Sequence, residues 1–186
     1  MVEELGSGRI EVRICGFGGQ GIVRAGVILG LAASIYAGKN AAQSQSYGPE
    51  ARGGSCRSEV VISDSEIDYP KVDVPDAVVI MSHEAYRRYA NEVKKDGILI
   101  VDPDMISEME RSSPAKVIEI PASKIADELG KRIVSNVVML GALTALTKIV
   151  PAEAVERAIL SSVPKGTEEL NLSAFRRGYA FVRQQT

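Results

Sequence analysis

Residues 9–21 read RIEVRICGFGGQG. In the first seven, charged and apolar side chains alternate, which is the period of a strand with one covered face. The next six, Gly16-Phe17-Gly18-Gly19-Gln20-Gly21, fit G-x-G-x-x-G. Residues 20–36 then run rich in Ala, Leu, Ile and Val, without proline, to Gly38. That is the pattern of a buried helix closed by a C-terminal glycine. Strand, glycine turn and helix in direct succession open a βαβ unit. Glycines permit the tight turn, and the helix N-terminus offers unpaired N–H groups and a positive dipole to an anion.

Working outward, residues 41–46 read as a second strand. Residues 47–54 (YGPEARGG) hold three glycines and a proline and must be a loop. Residues 56–63 (CRSEVVIS) return to a strand. Residues 77–81 (AVVIM) and 98–101 (ILIV) are short, continuous apolar runs of the kind buried in a parallel sheet. A surface helix over 83–95 separates them. A strand at 117–120 and helices at 123–129, 135–150, 152–161 and 172–185 complete the pattern. The alternation predicts the α/β class: a Rossmann-like, mostly parallel sheet flanked by helices, with a helical C-terminal third. Without repeats or linkers, residues 1–186 read as a single domain.

A chain of 186 residues is long enough for an independent core. Its 22 Lys and Arg against 24 Asp and Glu leave a net charge of −2, so no basic footprint for nucleic acid is present. With no Trp and three Phe, a base-stacking surface is missing too. Two cysteines, Cys15 and Cys56, and the single histidine His83 cannot supply the four clustered ligands of an iron–sulfur cluster or structural zinc. Residues 1–9 carry Glu3 and Glu4 and no apolar signal core. The longest nearly apolar runs, 27–37 and 137–147, fall well short of the roughly 20 residues of a membrane span. A soluble cytoplasmic protein with reduced thiols and no membrane partner is expected.

The glycine turn invites an NAD or FAD reading. Dinucleotide sites of that kind place an Asp or Glu about 20 residues downstream to bind the ribose hydroxyls. Residues 22–49 contain no acid, and the first one, Glu50, lies inside the next glycine loop. Two other readings remain: a turn for a different anion, and glycines that only let helix and strand pack closely. The Gln20 amide is placed to reach a neighbouring loop or a ligand.

Residues 43–57 (QSQSYGPEARGGSCR) crowd hydrogen-bonding side chains together, as sites and interfaces do. The plainer reading is a solvated connection with an internal Glu50–Arg52 or Glu50–Arg57 pair. Taken together, GFGGQG, then SYGPEARGG and a strand ending SEVVIS, resemble the gamma subunit of 2-oxoacid:ferredoxin oxidoreductases. The resemblance covers nearly the whole chain and is closest to the 2-oxoglutarate (KorC-like) branch.

That resemblance implies a multi-subunit enzyme converting a 2-oxoacid, coenzyme A and oxidised ferredoxin into acyl-CoA, carbon dioxide and reduced ferredoxin. Thiamine diphosphate, magnesium and iron–sulfur clusters would sit on partner alpha, beta and ferredoxin-like delta subunits. This chain has neither a GDG run nor a cysteine cluster, and alone it would be inactive, with no catalytic residue and no cofactor or metal of its own. It would support the active site, an interface and coenzyme A binding. Gly16, Gly18, Gly19, Gln20 and Gly21 would form one family loop. Tyr47, Gly48, Pro49, Glu50, Arg52, Gly53 and Gly54 would form the other. Arg52 is the natural partner for a phosphate or carboxylate, because its guanidinium fork binds both bidentately. Surfaces meant for partners would also let the isolated chain form a homodimer. Two rivals come from other classes: a stand-alone NAD- or FAD-binding oxidoreductase, and a non-enzymatic anion-binding scaffold.

Weaker candidates each carry a plain alternative. His83 reads as a base or as an exposed helix-start residue. Cys15 reads as a dipole-activated thiol or a small buried hydrophobe, while Cys56 lies beside the second loop. Asp102-Pro103-Asp104 reads as a cation site or a turn cap. The Arg87-Arg88 and Arg176-Arg177 pairs read as solvated faces or partner contacts. Residues 135–146 (SNVVMLGALTAL) are too apolar for a surface helix and read equally as core or subunit interface.

Overall fold

In the computed structural model, residues 8–48, 54–109 and 115–185 are described. Strand β1 (Arg9–Phe17) turns into helix α1 (Ile22–Leu31), whose end widens into a π-helical turn at Ala32–Tyr36. A hairpin follows, β2 (Asn40–Tyr47) and β3 (Ser55–Ser63). Then come β4 (Ala77–Ile80), α2 (His83–Tyr89), β5 (Ile98–Val101), β6 (Lys116–Glu119) and α3 (Ala122–Glu128). Helices α4 (Ser135–Thr147), α5 (Ala152–Ser162) and α6 (Glu168–Gln184) close the chain. Pro49, Glu50, Arg52 and Gly53 lie outside the described residues.

The six strands form one sheet in the order β2-β3-β1-β4-β5-β6. β1, β4, β5 and β6 run parallel, while β3 pairs antiparallel with both β1 and β2. The expected α/β class and mostly parallel sheet are what the chain adopts. Its antiparallel part arises because β2 and β3 are joined too closely for a crossover helix.

The sheet faces are covered unequally. Val12, Ile14, Val60, Ile62, Val79 and Ile100 point to the side packed by α1, α4 and α5. Cys15, Val78, Ile80, Leu99 and Val101 point to the other side, against α2. Every residue of α4 is buried. It packs on α6 almost backbone to backbone: a Cβ on Gly141 would lie 2.1 Å from the Phe175 carbonyl, and one on Gly178 2.0 Å from that of Val138. Of the two readings of residues 135–146, core is the one realised.

Three boundaries differ from expectation by three residues or more. α2 stops at Tyr89 rather than residue 95, because the chain leaves the helix to dock under β4, with Lys94 N–H donating to the Pro75 carbonyl. α4 ends at Thr147, where Lys148 turns left-handed at φ 51° ahead of Pro151. α6 starts at Glu168, four positions early, since Glu168 and Glu169 complement the positive end of the helix.

Candidate functional site

The C-terminal end of β1 is shaped by what its glycines leave out. A Cβ on Gly16 would sit 2.3 Å from Gln20 Oε1 and 2.8 Å from Ile22 Cδ1. Gly19 (φ 97°) and Gly21 (φ 75°) adopt left-handed backbone that strains any side-chain-bearing residue. Gln20 clamps the turn: Phe17 N–H donates to its Oε1 at 2.9 Å, and its Nε2 donates to the Met81 carbonyl at 2.7 Å. The sequence leaves a neighbouring loop or a ligand open to that amide; its Nε2 takes Met81, the residue that follows β4.

Two further contacts assemble a cleft around the turn. Gly18 N–H donates to the Gly54 carbonyl at 2.9 Å, and Gly48 N–H donates to that of Ser55 at 2.6 Å. The first glycine loop is thus tied to the base of the second. On the other flank, Asn136 Nδ2 donates to the Gly21 carbonyl at 2.9 Å and pins the start of α4 to the start of α1. The cleft between them has a volume of about 620 Å³. The turn, Tyr47 and Cys56 from the hairpin, Lys131 and Ile133 before α4, and Thr167 and Asn171 at the start of α6 form its walls.

The electrostatics point one way. Arg24 and Lys131 line the cleft, both exposed, and its described lining contains no Asp or Glu. Among the described residues neither cation has a carboxylate partner. α1 begins with no side-chain cap and no acid in its first turn. The first N–H groups of that helix therefore have no intrahelical partner, beside a cleft that Gly21, Val23 and Arg24 line. α6 differs, because Glu168 and Glu169 occupy its first turn and Gly166 N–H donates to Glu168 Oε2. Of these two helix ends the open one is that of α1; α4, whose start also lines the cleft, likewise has no side-chain cap and no acid in its first turn, but it continues directly from a 3-10 turn at Arg132–Val134.

The remaining candidates fall outside this arrangement, with one exception. Cys56 does line the cleft, but burial raises its pKa, so it presents a protonated, weakly polar wall. Cys15 faces α2 and is fully buried; desolvation pushes its thiol far up, against the opposing field of Arg13, and the buried-hydrophobe reading holds. His83 is half-buried at the start of α2, behind the Ser82 cap, rather than exposed. Asp102 is wholly buried at the end of β5. Its Oδ2 accepts from Ser123 N–H at 2.8 Å and Ser123 Oγ at 2.6 Å, and its Oδ1 accepts from Asp104 N–H at 3.2 Å. This is the turn-cap reading. Arg176 pairs bidentately with Glu156 and Arg177 with Glu128, both on the surface.

Arg24, Lys131 and Asn136 escaped the sequence reading. A usable signal existed for Arg24, the one charged residue in the apolar run from Ile22 to Ile35. Arg13 was missed as well. It is buried on β1, held by Glu59 and Glu92, and stacked 5.7 Å from the Tyr89 ring.

A family model described as pyruvate ferredoxin/flavodoxin oxidoreductase matches residues 11–181. The chain belongs to this family. It is 54% identical to 2-oxoglutarate synthase subunit KorC of Methanothermobacter thermautotrophicus, over 95% of this chain and 96% of that one. The crystal structure of a keto/oxoacid ferredoxin oxidoreductase gamma subunit from Geobacter sulfurreducens superposes with a TM-score of 0.84 at 43% identity. The match covers 94% of this chain and 99% of that one. The fold recurs within the longer 2-oxoglutarate:ferredoxin oxidoreductase chain of Magnetococcus marinus. There the TM-score is 0.86 at 22% identity, over 97% of this chain and 32% of that one. That enzyme was solved with 2-oxoglutarate, coenzyme A and succinyl-CoA bound. The resemblance carried by GFGGQG and SYGPEARGG stands, and this chain is a gamma-type subunit of an oxidoreductase complex. Neither the stand-alone dinucleotide enzyme nor the scaffold protein is supported. Among the described residues no helix is long and apolar enough to cross a membrane.

Proposed function

We propose that this chain serves a cytoplasmic 2-oxoglutarate:ferredoxin oxidoreductase as a single-domain subunit whose cleft receives the phosphate-bearing end of coenzyme A. The acid-free cleft carries the reading. It joins Arg24, Lys131 and the uncapped start of α1, in a chain whose net charge is −2. A phosphate gains charge-assisted hydrogen bonds from such groups, and no carboxylate in the described lining opposes it. Tyr47 and Ile133, 62% and 57% exposed, give the rim apolar surface for a ring or a partner to cover.

The division of labour follows from what this chain holds. Thiamine diphosphate, magnesium and iron–sulfur clusters on alpha, beta and delta-type partners would supply decarboxylation and electron transfer to ferredoxin. Here Gln20 and Asn136 keep the turn in shape, Arg24 and Lys131 bind charge, and Cys56 stays protonated and unreactive. Arg52, on the segment joining β2 to β3, serves a second anion or a partner carboxylate.

Anaerobic purification of the tagged chain from its own host tests the assignment. We expect it to bring a thiamine-diphosphate subunit and a cysteine-rich ferredoxin-type chain, in a complex that turns over 2-oxoglutarate faster than pyruvate or branched 2-oxoacids. A chain that arrives alone, or a complex that prefers another 2-oxoacid, overturns it. In the same complex Arg52→Ala is expected to cut turnover while the chain stays folded.

A further inference from the structure

Along β3 successive side chains leave on opposite faces of the sheet. Cys56 and Ser58 turn to the side of α1, where the Ser58 hydroxyl would meet a Cβ on Gly26. Arg57 and Glu59 turn to the side of α2. Three guanidiniums gather there on one ring: those of Arg88, Arg13 and Arg57 lie 5.3, 5.7 and 5.8 Å from the centre of Tyr89. Two carboxylates, Glu59 and Glu92, face them.

The charges do not close. Arg13 takes both acids: its Nε donates to Glu59 Oε1 at 2.7 Å and its Nη1 to Glu92 Oε2, while its Nη2 donates to the Val72 carbonyl at 3.3 Å. Arg57 comes only to 3.9 Å from Glu59 Oε2, too far for a hydrogen bond, and its Nε is buried with no partner. Arg88 is exposed and, among the described residues, has no carboxylate partner. Three cations against two anions leave one charge and two guanidinium forks unanswered. Stacking on the Tyr89 ring has already cost these forks part of their freedom, so they are pre-organised to bind.

The sheet beside them is bare. α2 packs over β1, β4 and β5. Ser46 and Ser44, which the register sets opposite Arg57 and Glu59, are exposed on β2. Phe17, in step with Arg13 and Cys15 along β1, is 37% exposed on the same face. From this we infer that Arg57 and Arg88 receive an Asp or Glu side chain of another subunit of the oxidoreductase complex. A guanidinium fork binds a carboxylate bidentately. Arginine beside an exposed aromatic is the composition of a protein interface rather than of a small-ion site. A second copy of this chain does not fit, because a two-fold contact sets the patch against itself, cation on cation. Cys56, which lines the cleft, faces the other way, so the inference is independent of what the cleft binds.

Zero-length cross-linking tests it. A carbodiimide joins an amine to a carboxylate in direct contact and leaves guanidinium groups untouched. In the anaerobically purified complex, Arg88→Lys and Arg57→Lys keep the charge and supply the amine. At least one of them is expected to link to an Asp or Glu of another subunit, located by peptide mass, while wild type shows no link at either position. Arg88→Glu, at an exposed helix position, is expected to leave the circular dichroism of the isolated chain unchanged and to cut the partner subunit it retains at least ~10-fold. No link, links confined to this chain and its copies, or undiminished retention by Arg88→Glu overturns the inference. So does saturable binding of inorganic phosphate to the isolated chain that Arg88→Glu abolishes, since the patch would then be a site for a small anion.

Discussion

β1 and β5 lie in one sheet and point the same way, yet their carboxyl ends differ. At β1 the backbone is left open: three turn glycines line a cleft, the helix behind them is uncapped, and the lining has cations but no acid. At β5 the backbone is closed. Asp102 is buried there, and both of its oxygens accept hydrogen bonds from Asp104 and Ser123. From sequence alone the carboxylate pair of Asp102 and Asp104, a weaker candidate than the glycines, reads as a cation site or a turn cap. A residue's functional group says less about a site than whether its bonding capacity is already used. The open end is made by absent things: Cβ atoms, a capping side chain, a carboxylate.

The strongest way to break this contrast is to open the closed end. Asp102→Ala leaves the two buried donors of Ser123 unsatisfied and frees the part-buried Asp104 N–H, and we expect a loss of about 3 kcal/mol in urea unfolding. A loss within error would mean the cap is decorative. Closing the open end comes next. Gly21→Val forces a β-branched residue into left-handed backbone with its Cβ 2.4 Å from Asn136 Nδ2. We expect about 2 kcal/mol of destabilisation, read by the same unfolding curves.

The smallest effect sharpens the comparison through pH. Burial lifts the Asp102 carboxyl above its ordinary range, with the hydrogen bonds from Ser123 and Asp104 opposing. Ionisation therefore costs the folded state more than the unfolded one. As pH falls from 7 through the raised value toward the unfolded value of roughly 4, protonation favours the fold. Wild type should gain stability relative to Asp102→Asn over that window by less than about 1 kcal/mol. A shift in the opposite direction on acidification would contradict the account.

Much of the frame was legible because the relevant forces are local. The continuous apolar runs AVVIM and ILIV marked β4 and β5, and GFGGQG marked the turn. What escaped depends on distant partners. Arg13 looks like a surface residue until Glu59 and Glu92 arrive to neutralise it. Lys131 reaches the cleft on the turn that α3 holds ahead of α4, and the start of α6 reaches it on a helix that Gly141 and Gly178 let pack closely on α4. Such convergence leaves no periodicity to read.

The most direct test of the account is the coenzyme A KM of the purified complex carrying Arg24→Gln and Lys131→Gln. Losing two charge-assisted contacts should raise that KM at least ~10-fold while leaving the KM for the 2-oxoacid unchanged. An unchanged coenzyme A KM would contradict the central claim, because the cationic cleft would then serve something other than coenzyme A.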